Sequence, residues 1–219
     1  MLRKKLENDV RKLQDEIKKL KQQLPGASAG IPGSQTLWGA ATEYFRLFRN
    51  GFRSPSAEVY KYVLNTLVSF MTPDVRDGLV CGPKAILARW MMFSLYFDDI
   101  YVDLQGLEKG RVGNSVVATT VTSITISNNS MRLVFPHLVE KGGADSVISL
   151  ADKLRGQRLE VRGSVVFEWD NTIGRVSKMR SQSDMLTPLL RVLGNLDDVS
   201  HVFEGALVTP ECGWVQSLL

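Results

Sequence analysis

The first 24 residues carry a heptad pattern, which restricts this part of the chain more than any other feature of the sequence. Apolar residues follow one another at alternating steps of four and three positions: Leu6, Val10, Leu13, Ile17, Leu20 and Leu24. A repeat of about 3.5 residues is typical of a coiled coil rather than of a helix packed on a core. β-branched residues at two a positions, with leucine at every d position, favour a parallel dimer. A single amphipathic helix lying on its own domain is the alternative.

The same helix contains the excess positive charge of the chain. It has eight Lys or Arg and four acidic residues, so of the 27 basic and 23 acidic residues in total, 19 of each lie elsewhere. Glu16 at a g position and Lys21 at the following e position would form an ion pair between two helices. The cluster of Arg3, Lys4 and Lys5 provides the candidate phosphate contacts.

Composition divides the chain into four segments, namely a coiled-coil helix (1–24), a flexible linker (25–36), a folded domain (37–208) and a short tail (209–219). Pro25 cannot continue a helix, and the Gly, Ala and Ser residues after it favour a flexible linker. No apolar run approaches the roughly 20 residues of a membrane span, so no membrane partner is expected. Cys81 and Cys212 are expected to be reduced thiols.

Helical periodicity predicts three helices at the start of the domain. The first begins at Leu37 and stops at Asn50-Gly51, and the second follows Ser56, a candidate N-cap. The third follows Gly82-Pro83, because proline is favoured in the first turn of a helix. Shorter helices are predicted at Val147–Leu154, Met185–Leu193 and Asp197–Leu207.

Strands are predicted mainly in the second half of the domain. Ser115–Ser127 is rich in Val, Ile and Thr, and Asp170–Gly174 predicts a hairpin turn. Other strands are predicted at Ile100–Leu107, Arg158–Arg162, Ser164–Trp169 and Arg175–Gln182, with a short strand and turn at Phe70–Leu79 and a strand or irregular edge at Met131–Leu138. This order predicts an α+β domain in which a curved antiparallel sheet wraps around helices.

The domain offers few residues from which a catalytic or metal site could be built. His137 and His201 are far apart, and two separate cysteines complete no metal-ligand spacing. Asp98 and Asp99 are adjacent, so in a strand they would point to opposite faces. We therefore expect no enzyme, no catalytic residues, no cofactor and no metal. If the sheet encloses a pocket, the candidate pocket residues are Trp90, Asp98, Tyr101, His137 and Trp169.

Three segments of the domain resemble the nuclear transport factor two-like fold, also called SnoaL-like. They are WGAATEYFRLFRNG, CGPKAILARWMMFSLYF and GSVVFEWDNTIGRVSKMRSQSDMLTPLLRVLG. Together with the heptads, this domain is similar to oomycete-type basic-leucine-zipper (bZIP) proteins, which contain runs similar to Phe135–Leu138, Gly156–Leu159 and Asp184–Pro188. The resemblance implies a cone-like domain and a nuclear, dimeric, DNA-binding regulator of transcription.

The sequence departs from the bZIP pattern next to the heptads. A bZIP protein reads the major groove with a basic helix directly upstream of its zipper. Here only five residues precede Leu6, and their three cations, at 3–5, could contact phosphates but could not specify bases. We therefore expect a regulator that acts as a homo- or heterodimer and binds DNA weakly or through a partner. The alternatives are a pocket protein of the same fold, small-molecule-binding or enzymatic, and a dimerisation adaptor outside the nucleus.

Overall fold

The computed structural model describes residues 36–111, 113–140 and 145–213. The predicted coiled coil, its phosphate contacts, nearly all of the linker and the end of the tail lie outside these residues. The described helices are α1 (Leu37–Phe48), α2 (Ala57–Phe70), α3 (Pro83–Tyr96), α4 (Asn128–Val134), α5 (Pro136–Glu140), α6 (Asp145–Leu154), α7 (Leu186–Leu193) and α8 (Leu196–Phe203). The described strands are β1 (Met71–Asp77), β2 (Val80–Cys81), β3 (Asp98–Lys109), β4 (Ser115–Thr125), β5 (Arg158–Asp170) and β6 (Arg175–Asp184).

The first three helices begin at the signals that the sequence provides. The Thr36 hydroxyl accepts the N–H of Gly39 at 3.0 Å before α1, and the Ser56 hydroxyl accepts the N–H of Val59 at 3.3 Å before α2. These bonds satisfy N–H groups that have no partner within the helix. Pro83 is the first residue of α3. The predictions of all three helices, and of Ser56 as an N-cap, are confirmed.

The six strands form one curved sheet in the order β2-β1-β6-β5-β4-β3. The pairs β3–β4, β4–β5 and β5–β6 are antiparallel, as predicted, and so is the pair β1–β2. Strands β1 and β6 pair in parallel, with Asp77 opposite Met179. The prediction of a purely antiparallel sheet is wrong at this pair. Because α2 leads directly into β1, no hairpin fixes the direction of β1 against its neighbour.

Strand β5 continues through Gly163, although the sequence predicts two strands that are separated at this residue. Gly163 lies opposite Thr120 of β4 and Ser183 of β6. A Cβ added at this position would come within 2.8 Å of the backbone oxygen of Gln182. The backbone of β6 approaches this position so closely that a larger residue would clash, which explains why a glycine is found inside the strand.

The segment predicted as a strand or irregular edge at Met131–Leu138 is helical, and that prediction is wrong. Ser127 and Ser130 form a capping box that starts α4, and Pro136 starts α5. The Val and Phe residues of this segment favour strands, but its buried residues have helical spacing (i, i+3, i+4, i+7): Met131, Val134, Phe135 and Leu138. The period of the buried residues, and not strand propensity, decides the structure here.

Much of the hydrophobic core lies between α1, α2 and α3 and the inner face of the sheet, and buried residues of α4 to α8 extend it. Its largest fully buried side chains include Tyr44, Phe48, Phe70 and Phe167. Edge-to-face contacts join the rings of Tyr44 and Phe167 at a centroid distance of 5.5 Å. Burial of aromatic rings of this size dominates the energetics of such a core. The helices therefore hold the inner face of the sheet from one side.

The start of α7 is fixed by Asp184, the last residue of β6. One carboxylate oxygen of Asp184 accepts the N–H of Thr187 at 3.0 Å, and the other accepts the Thr187 hydroxyl at 2.6 Å. The bonds from Thr187 hold the pKa of Asp184 below its ordinary value. Helices α6, α7 and α8 confirm the three shorter helices predicted in this half of the chain.

We predict that Asp184→Ala lowers the free energy of unfolding at pH 7 by about 1 kcal/mol, the usual effect of removing a helix cap. Because the folded state lowers the pKa of Asp184, its stabilising effect is complete above the unfolded pKa of about 4. The effect is lost as the pH falls through the folded value. Urea unfolding at pH 7 and pH 3 measures both points. Asp184→Asn is the control, since an uncharged cap should be nearly as stable at pH 7 and should lack the pH dependence. An equal loss for both variants at pH 7 would contradict the capping role.

Candidate functional site

A cavity of about 470 Å³ lies between the helices and the inner face of the sheet. One wall consists of aromatic residues from α1 and α3, namely Tyr44, Phe45, Trp90 and Phe93. The facing wall consists largely of β-branched residues from β3, β4 and β5, namely Val102, Thr120, Thr122, Ile124, Val161 and Val165. A cavity of this size falls in the range of roughly 300–1,000 Å³ that small organic ligands occupy.

Asp77, the last residue of β1, is the centre of a polar network in this cavity. Its side chain is 3% exposed. The carboxylate accepts a hydrogen bond from the guanidinium of Arg89, together with the N–H of Ser181 at 2.9 Å and the Ser181 hydroxyl at 2.8 Å. The backbone pairing of β1 with β6 ends with Asp77 opposite Met179. Two residues further along β6, the N–H of Ser181 donates to the Asp77 carboxylate instead of to a backbone oxygen of β1. A buried carboxylate is tolerated only with partners of this kind.

Arg89 connects Asp77 to the aromatic wall. Its guanidinium bonds to the hydroxyl of Tyr44, and that hydroxyl accepts the indole N–H of Trp90 at 2.7 Å. Burial raises the pKa of Tyr44 to about 12, although the charge of Arg89 opposes the rise. Burial also lowers the pKa of Arg89, but Asp77 and Tyr44 more than offset this and raise it above its ordinary value. At neutral pH the phenol is therefore neutral and the guanidinium is charged.

The rim of the cavity is formed by the turn after β1 and by residues 211–213. Leu79 in this turn is 77% exposed, which is unusual for leucine, and Gly78 beside it has a positive φ of 62°. Cys212 closes the opposite side. Burial, with the negative charges of Asp184 and Glu211, raises the pKa of Cys212 to about 12. The thiol is thus protonated at neutral pH and is a poor nucleophile.

The charges that line the cavity balance. Asp77 and Glu211 are acidic, and Arg89 and Arg180 are basic. Asp77 and Arg89 form an ion pair, and Arg180 pairs with Glu168 at 2.9 Å. The charges inside the cavity are therefore paired, and Glu211 is exposed to solvent at the rim.

Of the five pocket residues predicted from the sequence, only Trp90 lines this cavity. Asp98 and Tyr101 are held at the start of β3 by two arginines from the loop after α1. Asp98 accepts a hydrogen bond from Arg53, and its pKa lies below its ordinary value because of hydrogen bonds from Ser127 and Arg53. The hydroxyl of Tyr101 accepts a hydrogen bond from Arg49, whose guanidinium lies 5.1 Å from the centre of the Tyr101 ring.

His137 and Trp169 also lie away from the cavity. The Nε2 atom of His137 donates to the backbone oxygen of His201 at 3.1 Å, and the imidazole packs against Gly205. Trp169 packs against the core near the end of β5, where its backbone N–H donates to Asn114. Structural contacts thus account for both positions.

The sequence reasoning missed Tyr44, Asp77, Arg89 and Ser181, which form the polar network of the cavity. Two signals were available. Arg89 is a charged residue in a strongly apolar helix, and a charge in that setting needs a buried partner. Asp77 precedes Gly78 at the end of a strand. An Asp-Gly pair is also typical of an ordinary turn, so it does not by itself indicate a buried carboxylate. Ser181 carries no signal, since its contact with Asp77 joins residues 104 positions apart.

The described residues contain no group of three or more His, Cys, Asp and Glu residues arranged to hold a metal ion. None of the described helices has the length and apolar character that a membrane-spanning helix requires.

Solved structures with a similar fold share little sequence with this chain. TsrD from Streptomyces laurentii is 18% identical, with a TM-score of 0.43 over 71% of this chain and 95% of its own. A SnoaL-like polyketide cyclase from Agrobacterium tumefaciens is 12% identical, with a TM-score of 0.47 over 73% and 98%. An epoxide hydrolase-like protein from Mycobacterium tuberculosis is 16% identical, with a TM-score of 0.39 over 72% and 92%.

Sequence comparison gives a more specific result. No curated protein matches the chain. Residues 38–96, which run from α1 to the end of α3, match the family described as BZIP transcription factor 1 C-terminal domain. The matched residues include Tyr44, Asp77, Arg89 and Trp90, so they contribute most of the polar network of the cavity. The helical half of the described domain is therefore similar to a domain of bZIP transcription factors.

Proposed function

We propose that this protein is a nuclear regulator of transcription of the bZIP class, similar to the oomycete-type proteins. The match of residues 38–96 to the C-terminal domain of a bZIP factor carries the proposal. The heptads of residues 1–24 support it, because a zipper upstream of such a domain is the expected arrangement of the class. In this proposal the chain dimerises through its heptads, and the α+β domain binds further partners.

The three basic residues at positions 3–5 limit how the 219-residue polypeptide can bind DNA. They would touch phosphates without reading bases. We expect this polypeptide to show no sequence-specific DNA binding at physiological salt. A tight, salt-resistant complex with one particular duplex would contradict this part of the proposal, since phosphate contacts alone weaken steeply with salt.

Light scattering of four proteins tests the zipper. The full chain is expected to be a dimer, and a chain that starts at Gln35 a monomer. Leu13→Asp, which places a charge at a d position, should also give a monomer. Gln22→Asp adds the same charge on the outer face of the helix and should leave the dimer intact. Dimers in the shortened chain and in Leu13→Asp would show that the heptads are not the assembly device.

A second candidate function is the binding of a small molecule in the cavity. The aromatic and aliphatic walls around a few convergent polar groups favour it. We propose binding without catalysis, because the carboxylate of Asp77 is held by Arg89 and Ser181 and the thiol of Cys212 is protonated.

The remaining alternative is a dimerisation adaptor outside the nucleus. The cellular location of a fluorescent fusion of the full chain would distinguish it from a nuclear regulator.

A further inference from the structure

We propose that the cavity binds a neutral, planar ring compound that carries a hydroxyl group, with its rings between the two walls and its hydroxyl at Asp77. The inference deepens the second candidate function, and it does not depend on dimerisation. It rests on the shape of the walls, the balance of charge and the hydrogen-bonding capacity of the polar network.

The side chains that line the two walls of the cavity favour a flat ring system. Phe45, Trp90 and Phe93 project from the helices, and Thr122, Val161 and Val165 face them from the sheet. Trp90 is held in place from behind, because its indole stacks on Phe48 at a centroid distance of 4.7 Å with an angle of 5° between the rings. A planar ring can contact the aromatic side chains of one wall and the branched side chains of the other.

The charge balance favours a neutral ligand. The buried charges Asp77 and Arg89 neutralise one another, and Arg180 already has Glu168 as a partner. A carboxylate ligand would lose its hydration and would face Asp77 and Glu211. An ammonium ligand would face Arg89 in the same way. Glu211 is exposed at the rim, where water screens its charge. The charges inside the cavity are already paired, so a charged ligand would lose its hydration without gaining a buried partner, and a neutral molecule is the better fit.

The polar network fits a hydroxyl group. A carboxylate offers about four acceptor positions, and the bonds from Arg89 and Ser181 occupy three of those on Asp77. A ligand hydroxyl can donate to the remaining position on Oδ1. The side chain of Gln182, which also lines the cavity, supplies a donor and an acceptor nearby. A hydrogen bond to a charged group is among the stronger ones, so the hydroxyl should contribute clearly to affinity.

Three probes that share one ring system test separately the preference for a ring, for a neutral ligand and for a hydroxyl group. Each is titrated into the full chain and followed by calorimetry. The probes are 2-naphthol, naphthalene and 2-naphthoate, which differ only in carrying a hydroxyl, no polar group or a carboxylate. We expect 2-naphthol to bind about tenfold more tightly than either of the others, or better. Equal affinity for naphthalene, tighter binding of 2-naphthoate, or no binding of 2-naphthol at its solubility limit would overturn the proposal.

Two substitutions on one strand locate the binding. Thr122 of β4 faces the cavity, and Thr122→Phe fills it, so binding of 2-naphthol should fall at least tenfold. Thr119 is exposed and lies on the opposite face of β4, so Thr119→Phe should bind as the wild type does. Equal loss in both variants, or retention in Thr122→Phe, would place the probe elsewhere and overturn the proposal.

The two cysteines give a second readout within the same molecule. Cys212 lines the cavity and Cys81 is exposed outside it. Because the thiol of Cys212 is protonated at neutral pH, its alkylation by N-ethylmaleimide is slow and requires excess reagent and a long time course. Bound 2-naphthol should slow this reaction several-fold further and leave the rate at Cys81 unchanged, as measured by peptide mass spectrometry. Unprotected Cys212 at saturating 2-naphthol would contradict the proposed position. Because this experiment does not depend on the zipper, failure here and a failure to dimerise are distinguishable.

Discussion

Replacing Asp77 with alanine is expected to lower the free energy of unfolding by about 3 kcal/mol, because it leaves a buried charge without its partner. Asp77 is 3% exposed, and its carboxylate bonds to Arg89 and to both the N–H and the hydroxyl of Ser181. The alanine variant therefore loses an ion pair and two further hydrogen bonds in one step. Because Arg89 is still 24% exposed, the effect should lie at the low end for buried pairs. Urea unfolding, followed by circular dichroism, measures it.

Two comparisons isolate the cause of that loss. Asp74→Ala removes an exposed carboxylate from the same strand and should change the free energy of unfolding by less than about 0.5 kcal/mol. The double variant Asp77→Ala, Arg89→Met removes both charges and keeps the volume of the longer side chain. It should be more stable than Asp77→Ala alone, since no unpaired charge remains. Additive losses in the double variant would show that the ion pair is not what stabilises this site.

Local signals explain why most of the elements could be predicted from the sequence. Helix caps such as Ser56, the Gly82-Pro83 start of α3 and the Asp170–Gly174 turn act over a few residues, and the structure has each of them. The failures lie where contacts with other parts of the fold decide the structure. At Met131–Leu138 the buried residues have helical spacing although Val and Phe favour strands, and at Gly163 the pairing of β5 on both sides continues the strand. The parallel pairing of β1 with β6 likewise joins distant segments.

The candidate site could not be predicted in the same way, because it is assembled over long distances. Asp77 meets Ser181 from 104 positions away, and Trp90 meets Tyr44 from 46 positions away. Hydrophobic periodicity in the sequence gives no information about contacts over such distances. Trp90 is the one predicted pocket residue that lies on a helix of the cavity wall. Asp98 and His137 are candidates because of their chemistry alone, and in the structure Asp98 pairs with Arg53 and the Nε2 atom of His137 bonds to the backbone oxygen of His201.

The second large effect is expected at Phe48, which is fully buried behind the aromatic wall. The Phe48 ring stacks on Trp90 and contacts Tyr44 edge to face at 5.0 Å. Phe48→Ala should lower the free energy of unfolding by about 4 kcal/mol, the sum of lost burial and the space left behind. Urea unfolding again provides the measurement. Phe48→Leu, which keeps most of the volume, should lose far less.

The substitution of Phe48 should also change the cavity, because Phe48 holds Trp90 in position. Without the stacking partner, the indole gains room to turn away from the wall, and its N–H can leave the hydroxyl of Tyr44. We expect Phe48→Ala to shift the tryptophan fluorescence of the folded protein relative to Phe48→Leu, and to weaken the binding of 2-naphthol. Trp90→Phe in the same background shows whether Trp90 is the source, since the shift should then disappear. A shift that persists without Trp90 would mean that Phe48 acts on the core alone and does not position the wall of the cavity.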